Sequence, residues 1–449
     1  KYSFRYEEFE FQRIFNKLGL LKYYFMLRGK KKIYQLFLIL FLIVSCSSEI
    51  ANDFEMELNQ SARLKNKDTK LTKYQLTTQV GASSLAEYLP LLNNKKVAIV
   101  GNQTSVINST FLVDTLITLG VDVKILFAPE HGFRGDHDAG EEVKNTTDSK
   151  TGLQIFSLHG KSNKPTPKSL ENIDVILFDI QDVGVRFYTY ISTLHYVMEA
   201  AAENNKKVVI LDRPNPNAHY IDGPVLEKKF KSFIGMHPVP VVYGMTIGEY
   251  GNMINGEYWL KDSLQADLQV IKLKNWTYDK EYILPIPPSP NLPNQLSIYL
   301  YPSLCFFEGT EVSIGRGTEY PFQVWGHPEA KCDLIKDFNF KPISIKGKSK
   351  HPKHENSFCR GVDYRNHSTD SIRKYWKLEM SPIQEAQACI EPTKEFFNRN
   401  DFFNLLAGNN KLIKQLKEKK SEQQIRESWR NQLDDFYIIR AKYLLYNNN

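Results

Sequence analysis

At 449 residues the chain is long enough for two domains with cores of their own. Of the formal charge of +7, almost all sits in residues 1–45, which hold nine Lys/Arg against three Asp/Glu. The body of the chain is therefore near neutral, which excludes the basic footprint of a nucleic-acid binder, and 12% aromatics without a basic surplus suit a sugar better.

The N-terminus has the order of an export signal. The first Met is Met26, so residues 1–25 read as upstream translation and are set aside. Arg28, Lys30, Lys31 and Lys32 precede an apolar run, Ile33 to Val44, shorter than the roughly 20 residues of a membrane-spanning helix. The run ends Ile43-Val44-Ser45-Cys46, which resembles a bacterial lipobox. It predicts a signal peptide over 26–45, lipidation of Cys46, and anchoring in the cell envelope on the periplasmic side or at the outer membrane. Residues 46–82 are polar and read as a tether. Cys305, Cys332, Cys359 and Cys389 are scattered. Export permits disulfides, but four thiols allow three pairings and the spacing does not choose.

From Ala82 onward, apolar runs alternate with helical patterns. Strands are expected at Lys96–Gly101, Asp122–Phe127, Leu153–Leu158, Ile173–Ile180 and Lys207–Leu211, with another at Leu268–Leu273. Helices are expected at Phe111–Leu119, Ile191–Glu203 and Ile247–Asn255. Near-continuous Val/Ile/Leu strands spaced by helices argue for an α/β fold with a parallel sheet covered on both faces, Rossmann-like in layout. The first turn, GNQTS, has one Gly and no dinucleotide fingerprint.

Each strand runs into a polar, Gly- or Pro-marked loop. The loop in ILFAPEHGFRG offers Glu130, His131 and Arg134 just beyond Pro129. The others offer Asn102, then Asp182 and Arg186, then Asp212, Arg213 and Asn215. In an open parallel sheet the carboxyl ends of the strands share one edge, where ligands bind, so these loops are expected to converge on one crevice. A carboxyl beside apolar residues, such as Glu130, can have its pKa raised and serve as a general acid.

Residues 285–294, PIPPSPNLPN, exclude helix and strand and are expected as a rigid extended segment lining the crevice. Tyr301–Gly326 places Glu308, Arg316 and Glu319 among glycines and aromatics, and Gly315-Arg316-Gly317 would aim a guanidinium at a ligand. Residues 327–370 read as irregular and basic, with His351, His354 and His367 at the surface. From Glu385 the pattern is helical, with an amphipathic face over Glu422–Tyr446.

In order, NQTS, APEHGFRG, FDIQDVGVRFYTYIST, LDRPNPN, GMTIGE, PPSPNLP, FEGTEVSIGRGTEYPF and SEQQIRESW…YLLY resemble the exo-acting β-N-acetylmuramidases. These are peptidoglycan-degrading glycoside hydrolases, long labelled a domain of unknown function. The resemblance spans about residues 83–446. It implies a Rossmann-like catalytic domain (83–290), a smaller α+β C-terminal domain (291–449), and an active site in the cleft between them. It implies release of N-acetylmuramic acid from the non-reducing end of peptidoglycan fragments, without a cofactor. Glu130 is the implied acid, with His131 and Asp182 as further catalytic candidates; for the second group at the anomeric centre Asp182, Glu308, Glu319 and the substrate's own 2-acetamido group stand as alternatives. Substrate contacts are expected from Asn102, Arg134, Arg186, Tyr188, Asp212, Arg213, Asn215, Asn291, Glu308, Arg316 and Glu319, with Tyr188 and Tyr190 placed to stack on sugar faces. Two departures stand out. Asn217-Ala218-His219 replaces the LGG of many members, and Tyr243 stands where many have His; both are expected at the rim of the site. Two other readings are a metal-dependent hydrolase using His131, Asp136, His137 and Asp138, and a cell-wall-sugar-binding lipoprotein without turnover. The complete motif around Glu130 speaks against the second.

Overall fold

The structure, a computed structural model, describes residues 77–130, 132–134, 145–160, 162–333, 335, 338–375, 377–390 and 395–447. The expected signal peptide, Cys46, most of the tether, His131 and Asp136 to Asp138 lie outside the described residues.

Strands in the first half are β1 Lys96–Gly101, β2 Val106–Ile107, β3 Thr110–Phe111, β4 Asp122–Ala128, β5 Thr146–Thr147, β6 Gln154–Ser157, β7 Val175–Asp179, β8 Lys207–Leu211 and β9 Asp267–Ile271. Seven of them form one sheet in the order β5-β6-β4-β1-β7-β8-β9; β2 and β3 make a separate hairpin. All sheet pairs are parallel except the edge pair β5–β6. The chain steps outward from β1 through β4 to β6, then returns to the other side of β1 and steps through β7, β8 and β9. Strand order therefore reverses at β1/β7, where an open sheet leaves a crevice at its carboxyl edge.

Alternation along the strands explains why both faces are covered. Ala98, Val100, Ile176 and Phe178 belong to one core cluster, with the helices Tyr190–Glu203 and Ile247–Gly256. Val97, Ile99, Val175 and Leu177 belong to the other, with the helices Leu85–Leu92 and Leu112–Thr118. Each Val, Leu, Ile or Phe among them, fully buried, contributes roughly 1.5–3 kcal/mol. The first helix was hidden in the sequence by Pro90, and a helix at Gln295–Leu304 by Pro302. Structure begins ahead of Ala82: Gln79 pairs with Lys274, and the Gly81 N–H donates to the Asp212 carbonyl at 2.8 Å.

The second half has its own antiparallel sheet, β10 Val324–His327, β11 Asn339–Phe340 and β12 Cys359–Asp363, in the order β10-β12-β11. Part of the stretch expected to be irregular is thus strand. Cys332 and Cys389 form a disulfide; Cys305 and Cys359 are buried free thiols. The amphipathic run near the C-terminus is two helices, Glu422–Glu427 and Arg430–Ala441, that bury Ile425 and Phe436. The chain then returns to the parallel sheet. Arg440 donates to the Gly244 carbonyl, the Leu445 N–H to Glu249 at 2.7 Å, and the Tyr446 hydroxyl donates to Asp212. The larger core cluster runs without a break from Phe178 to Phe436.

Candidate active site

One pocket takes its walls from both halves of the chain. Glu130 and Phe187 to Tyr190 come from the loops after β4 and β7. Ser289, Asn291 and Leu292 come from the proline-rich segment, and Tyr301, Arg316 and Phe322 from beyond it.

Glu130 follows Pro129 at the end of β4, where the Gly132 N–H closes a turn onto the Pro129 carbonyl at 3.1 Å. Thr189, the N-cap residue of the 14-residue helix Tyr190–Glu203, donates its hydroxyl to Glu130 Oε2 at 3.3 Å. Glu130 thus stands at the positive end of that helix, where the backbone dipoles favour an anion. The Tyr190 hydroxyl is pushed well above its ordinary pKa by burial first and by the Glu130 charge second.

Asp182 lies behind this wall. It is 3% exposed, accepts the Tyr243 hydroxyl, and accepts the Gly184 N–H at 2.7 Å. Burial pushes its carboxyl up to about 7, against the lowering effect of Tyr243. Gly184 must be Gly: φ is +77°, and a Cβ there would fall 2.2 Å from the Asn215 side-chain amide.

The proline segment lines the pocket as expected, but it is not extended throughout: the Leu292 N–H closes a turn onto the Ser289 carbonyl at 2.9 Å, with Asn291 in that turn. Its prolines offer no N–H, so its carbonyls take donors from the first half. Pro288 O accepts Tyr188 at 2.9 Å, Tyr190 at 3.2 Å and Gln103 Nε2 at 3.0 Å. Asn102 steadies Tyr190 from behind, Nδ2 to hydroxyl 2.9 Å. The two tyrosine rings, 8% and 2% exposed, meet edge to face. They are structural walls rather than open stacking platforms.

Arg316 sits on a turn in which Gly315 and Gly317 both have positive φ, +77° and +79°. Its Nε donates to Glu308 Oε1 at 2.6 Å, and its guanidinium lies 5.0 Å from the centre of the Phe322 ring. Burial alone would raise the Glu308 carboxyl; Arg316 and Lys353 outweigh it and hold the group below the usual carboxylate range. Lys353 is pushed down to about 8 by burial and donates to the Phe307 carbonyl at 2.8 Å.

Of the residues read as ligands, Glu130, Tyr188, Asn291 and Arg316 meet at this pocket, with Glu308 behind Arg316. Several others do not. Arg134 is engaged by Asp148 in two bonds, 2.7 and 2.8 Å. Arg186 is fully buried and donates to the carbonyls of Pro224, Val239 and Leu406. Arg213 is paired with Asp179, Nε to Oδ1 2.6 Å and Nη2 to Oδ2 2.9 Å. Asp212 accepts the N–H groups of Arg213 and Gly248 and the hydroxyl of Thr246. Asn215 donates to Met245 O, and Glu319 is an exposed partner of Lys348. Charge at a strand end reads alike in sequence whether it meets a ligand or a neighbouring loop. The residues missed, Phe187, Thr189, Ser289, Leu292, Tyr301 and Phe322, carry no polar signal beyond one hydroxyl each on three of them.

The two departures are also away from the rim. Tyr243 is buried on Asp182, and His219 lies in a separate surface hollow with Arg373 and Lys377. Among the described residues one group could hold a metal: Glu311, His327 and His354, with donor atoms within 4.8 Å of one another. The Glu329 N–H donates to His327 Nδ1 at 3.0 Å, which puts the proton of the neutral ring on Nε2. A metal-bound histidine normally donates from its other nitrogen, so this donor set does not favour an ion.

Models of the exo-beta-N-acetylmuramidase NamZ family match residues 97–296 (N-terminal part) and 299–446 (C-terminal part). The chain belongs to this family. It is 37% identical over 397 residues to the peptidoglycan beta-N-acetylmuramidase NamZ of Bacillus subtilis (strain 168), covering 85% of this chain and 94% of that protein. Two crystal structures of DUF1343 family proteins from Bacteroides fragilis NCTC 9343 are similar. One has TM-score 0.76 and 44% identity, the other 0.69 and 31%, each covering 83% of this chain and all of the other. The boundary between the two NamZ parts falls in the first turn of the helix Gln295–Leu304, just after the proline segment.

The raised carboxyl of Asp182 gives a testable pH dependence. A folded pKa near 7 against an unfolded value near 4 means the folded state holds the proton more tightly. Its contribution to stability is present below the unfolded value and is lost as pH rises through about 7. Denaturant titrations of Asp182→Asn are expected to show a shallower decline in stability between about pH 4 and pH 7 than the wild type, by an amount on the order of a few kcal/mol. An unchanged slope would mean Asp182 is ionised in the folded protein.

Proposed function

We propose that the protein is an exo-acting β-N-acetylmuramidase that removes N-acetylmuramic acid from the non-reducing end of peptidoglycan fragments, with Glu130 as general acid. The observation that carries the assignment of Glu130 is its place in the wall of the pocket shared by the two halves. A glycosidic oxygen needs a proton as its bond to the anomeric carbon breaks. As Glu130 gives up that proton it becomes an anion, and the Thr189 hydroxyl, which donates to Oε2 at 3.3 Å, holds it in place. Glu130→Gln keeps the shape and removes the acid. A chromogenic aryl β-N-acetylmuramide is expected to be cleaved at least about 100-fold more slowly by it. Near-normal turnover would move the acid to another residue.

N-acetylmuramic acid differs from N-acetylglucosamine by a lactyl carboxylate. Arg316 is the pocket guanidinium suited to receive it: Glu308 fixes the side chain through Nε, and a guanidinium has five N–H donors to distribute. Arg316, Lys353 and Arg399 all act on Glu308, so the cluster retains positive character. Arg316→Ala is expected to raise KM for the muramide by about 10- to 100-fold and to leave hydrolysis of the corresponding glucosaminide little changed. Equal losses on both sugars would remove Arg316 from lactyl recognition.

We also infer export as a lipoprotein, from the basic start, the short apolar run and the lipobox-like end at Cys46. Membrane association would then follow from the acyl group. Cys46→Ser is expected to abolish incorporation of a palmitate analogue and to release the protein from the membrane fraction. Continued labelling would assign the lipid elsewhere.

A further inference from the structure

We propose that Asn291 reads the N-acetyl group of the terminal sugar, its Oδ1 accepting the amide N–H. This rests on the functional reading above and names the contact that would make the pocket selective for a 2-acetamido sugar.

The orientation of the Asn291 amide is set by chemistry. Its Nδ2 donates to the Lys348 carbonyl at 2.8 Å, and a carbonyl can only accept, so Oδ1 is the atom left over. Asn291 is 2% exposed, lines the pocket, and its Oδ1 is buried without a hydrogen-bond partner among the described residues. A buried acceptor left unmade is costly, and a substrate donor relieves that cost only when it binds.

The acceptor is also held still. The Asn291 N–H donates to the Ser289 hydroxyl at 3.2 Å, and the Leu292 N–H to the Ser289 carbonyl at 2.9 Å. One residue earlier, Pro288 is gripped by Tyr188, Tyr190 and Gln103. The segment brings Asn291 to a fixed place, as a group that discriminates between ligands must be held.

The surroundings favour an acetamido group over a hydroxyl. Leu292, Tyr301 and Phe322 share the pocket with Asn291, and the rings of Tyr301 and Phe322 meet at 4.9 Å between centroids. An N-acetyl group brings a donor N–H and an apolar methyl together. A hydroxyl would satisfy Oδ1 and leave the apolar wall uncovered.

The test compares two aryl glycosides, the 2-acetamido muramide and its 2-acetoxy counterpart, which keeps the carbonyl and methyl but lacks the N–H. Wild-type kcat/KM is expected to favour the acetamide by about 10- to 100-fold. Asn291→Ala should lose that factor on the acetamide and change little on the acetoxy sugar, so that the preference collapses. Asn291→Asp, which keeps an acceptor oxygen, should retain part of it. Equal losses on both sugars would show that Asn291 only supports the loop and would overturn the proposal, as would a wild type that does not discriminate. Calorimetric binding of the two free sugars to wild type and Asn291→Ala makes the same comparison without turnover. A wild type that binds with this preference but cleaves neither glycoside would refute the glycosidase reading and leave the Asn291 assignment standing.

Discussion

The carboxyl edge of the sheet depends on the buried pair of Asp179 and Arg213. Asp179 ends β7, Arg213 follows β8, and both are almost entirely out of water. Burial works against the Arg213 charge, and Asp179 more than restores it. The same arginine reaches Val106 O at 3.1 Å, and the Ser105 hydroxyl donates to the Asp179 carbonyl. Three loops that leave neighbouring strands are therefore tied at one point. Removing one partner of such a pair typically costs about 3–5 kcal/mol, because the other charge stays buried alone. Here it would also release the β1 and β7 loops, which frame the crevice where strand order reverses.

This fixes a division of labour along the edge. On the β8 side, polar groups are consumed internally: Arg213 by Asp179, Asp212 by Thr246 and by Tyr446 from the C-terminal tail. On the β4 and β7 side, Glu130 and the Thr189–Tyr190 helix start face the pocket. One carboxylate thus stays in the pocket while its neighbours along the edge serve as rivets. The rivets explain how a wall built from loops can hold its shape, since the loops after β1, β7 and β8 are bonded to one another.

Much of the fold was legible. β1, β7 and β8 are buried on both faces, and their near-unbroken Val/Ile/Leu runs, with the apolar runs of β4 and β6, placed these five strands to within a residue or two. Thr246-Ile247-Gly248-Glu249 carried its helix start openly, and the capping box is formed. What failed to show were helices whose pattern contains proline, the strands β2, β3, β5, β10, β11 and β12, and the Cys332–Cys389 pairing, which depends on how distant segments meet. The site was half legible for a related reason. Glu130, Asn291 and Arg316 were marked by the Pro and Gly that shape their turns. Arg186, Asp212 and Arg213 carry the same marks, and only their neighbours in space distinguish them. Arg186 shows this most clearly: it has the side chain best suited to a carboxylate, yet it is spent on three backbone carbonyls.

The proline-rich segment joins these points. A chain with few N–H groups cannot be held by a strand ladder, so its place must be set through its carbonyls. Gln103, Tyr188 and Tyr190 supply those donors, and Tyr190 is also the first residue of the helix that presents Thr189 to Glu130. The group that bonds to Glu130 and the group that anchors the Asn291 segment are thus consecutive residues on one helix start. A shift of that start would move the acid and the Asn291 wall together rather than apart. Glu130 and Asn291 lie far apart in sequence and in different halves of the chain, so a shared reference point of this kind is what keeps their separation constant.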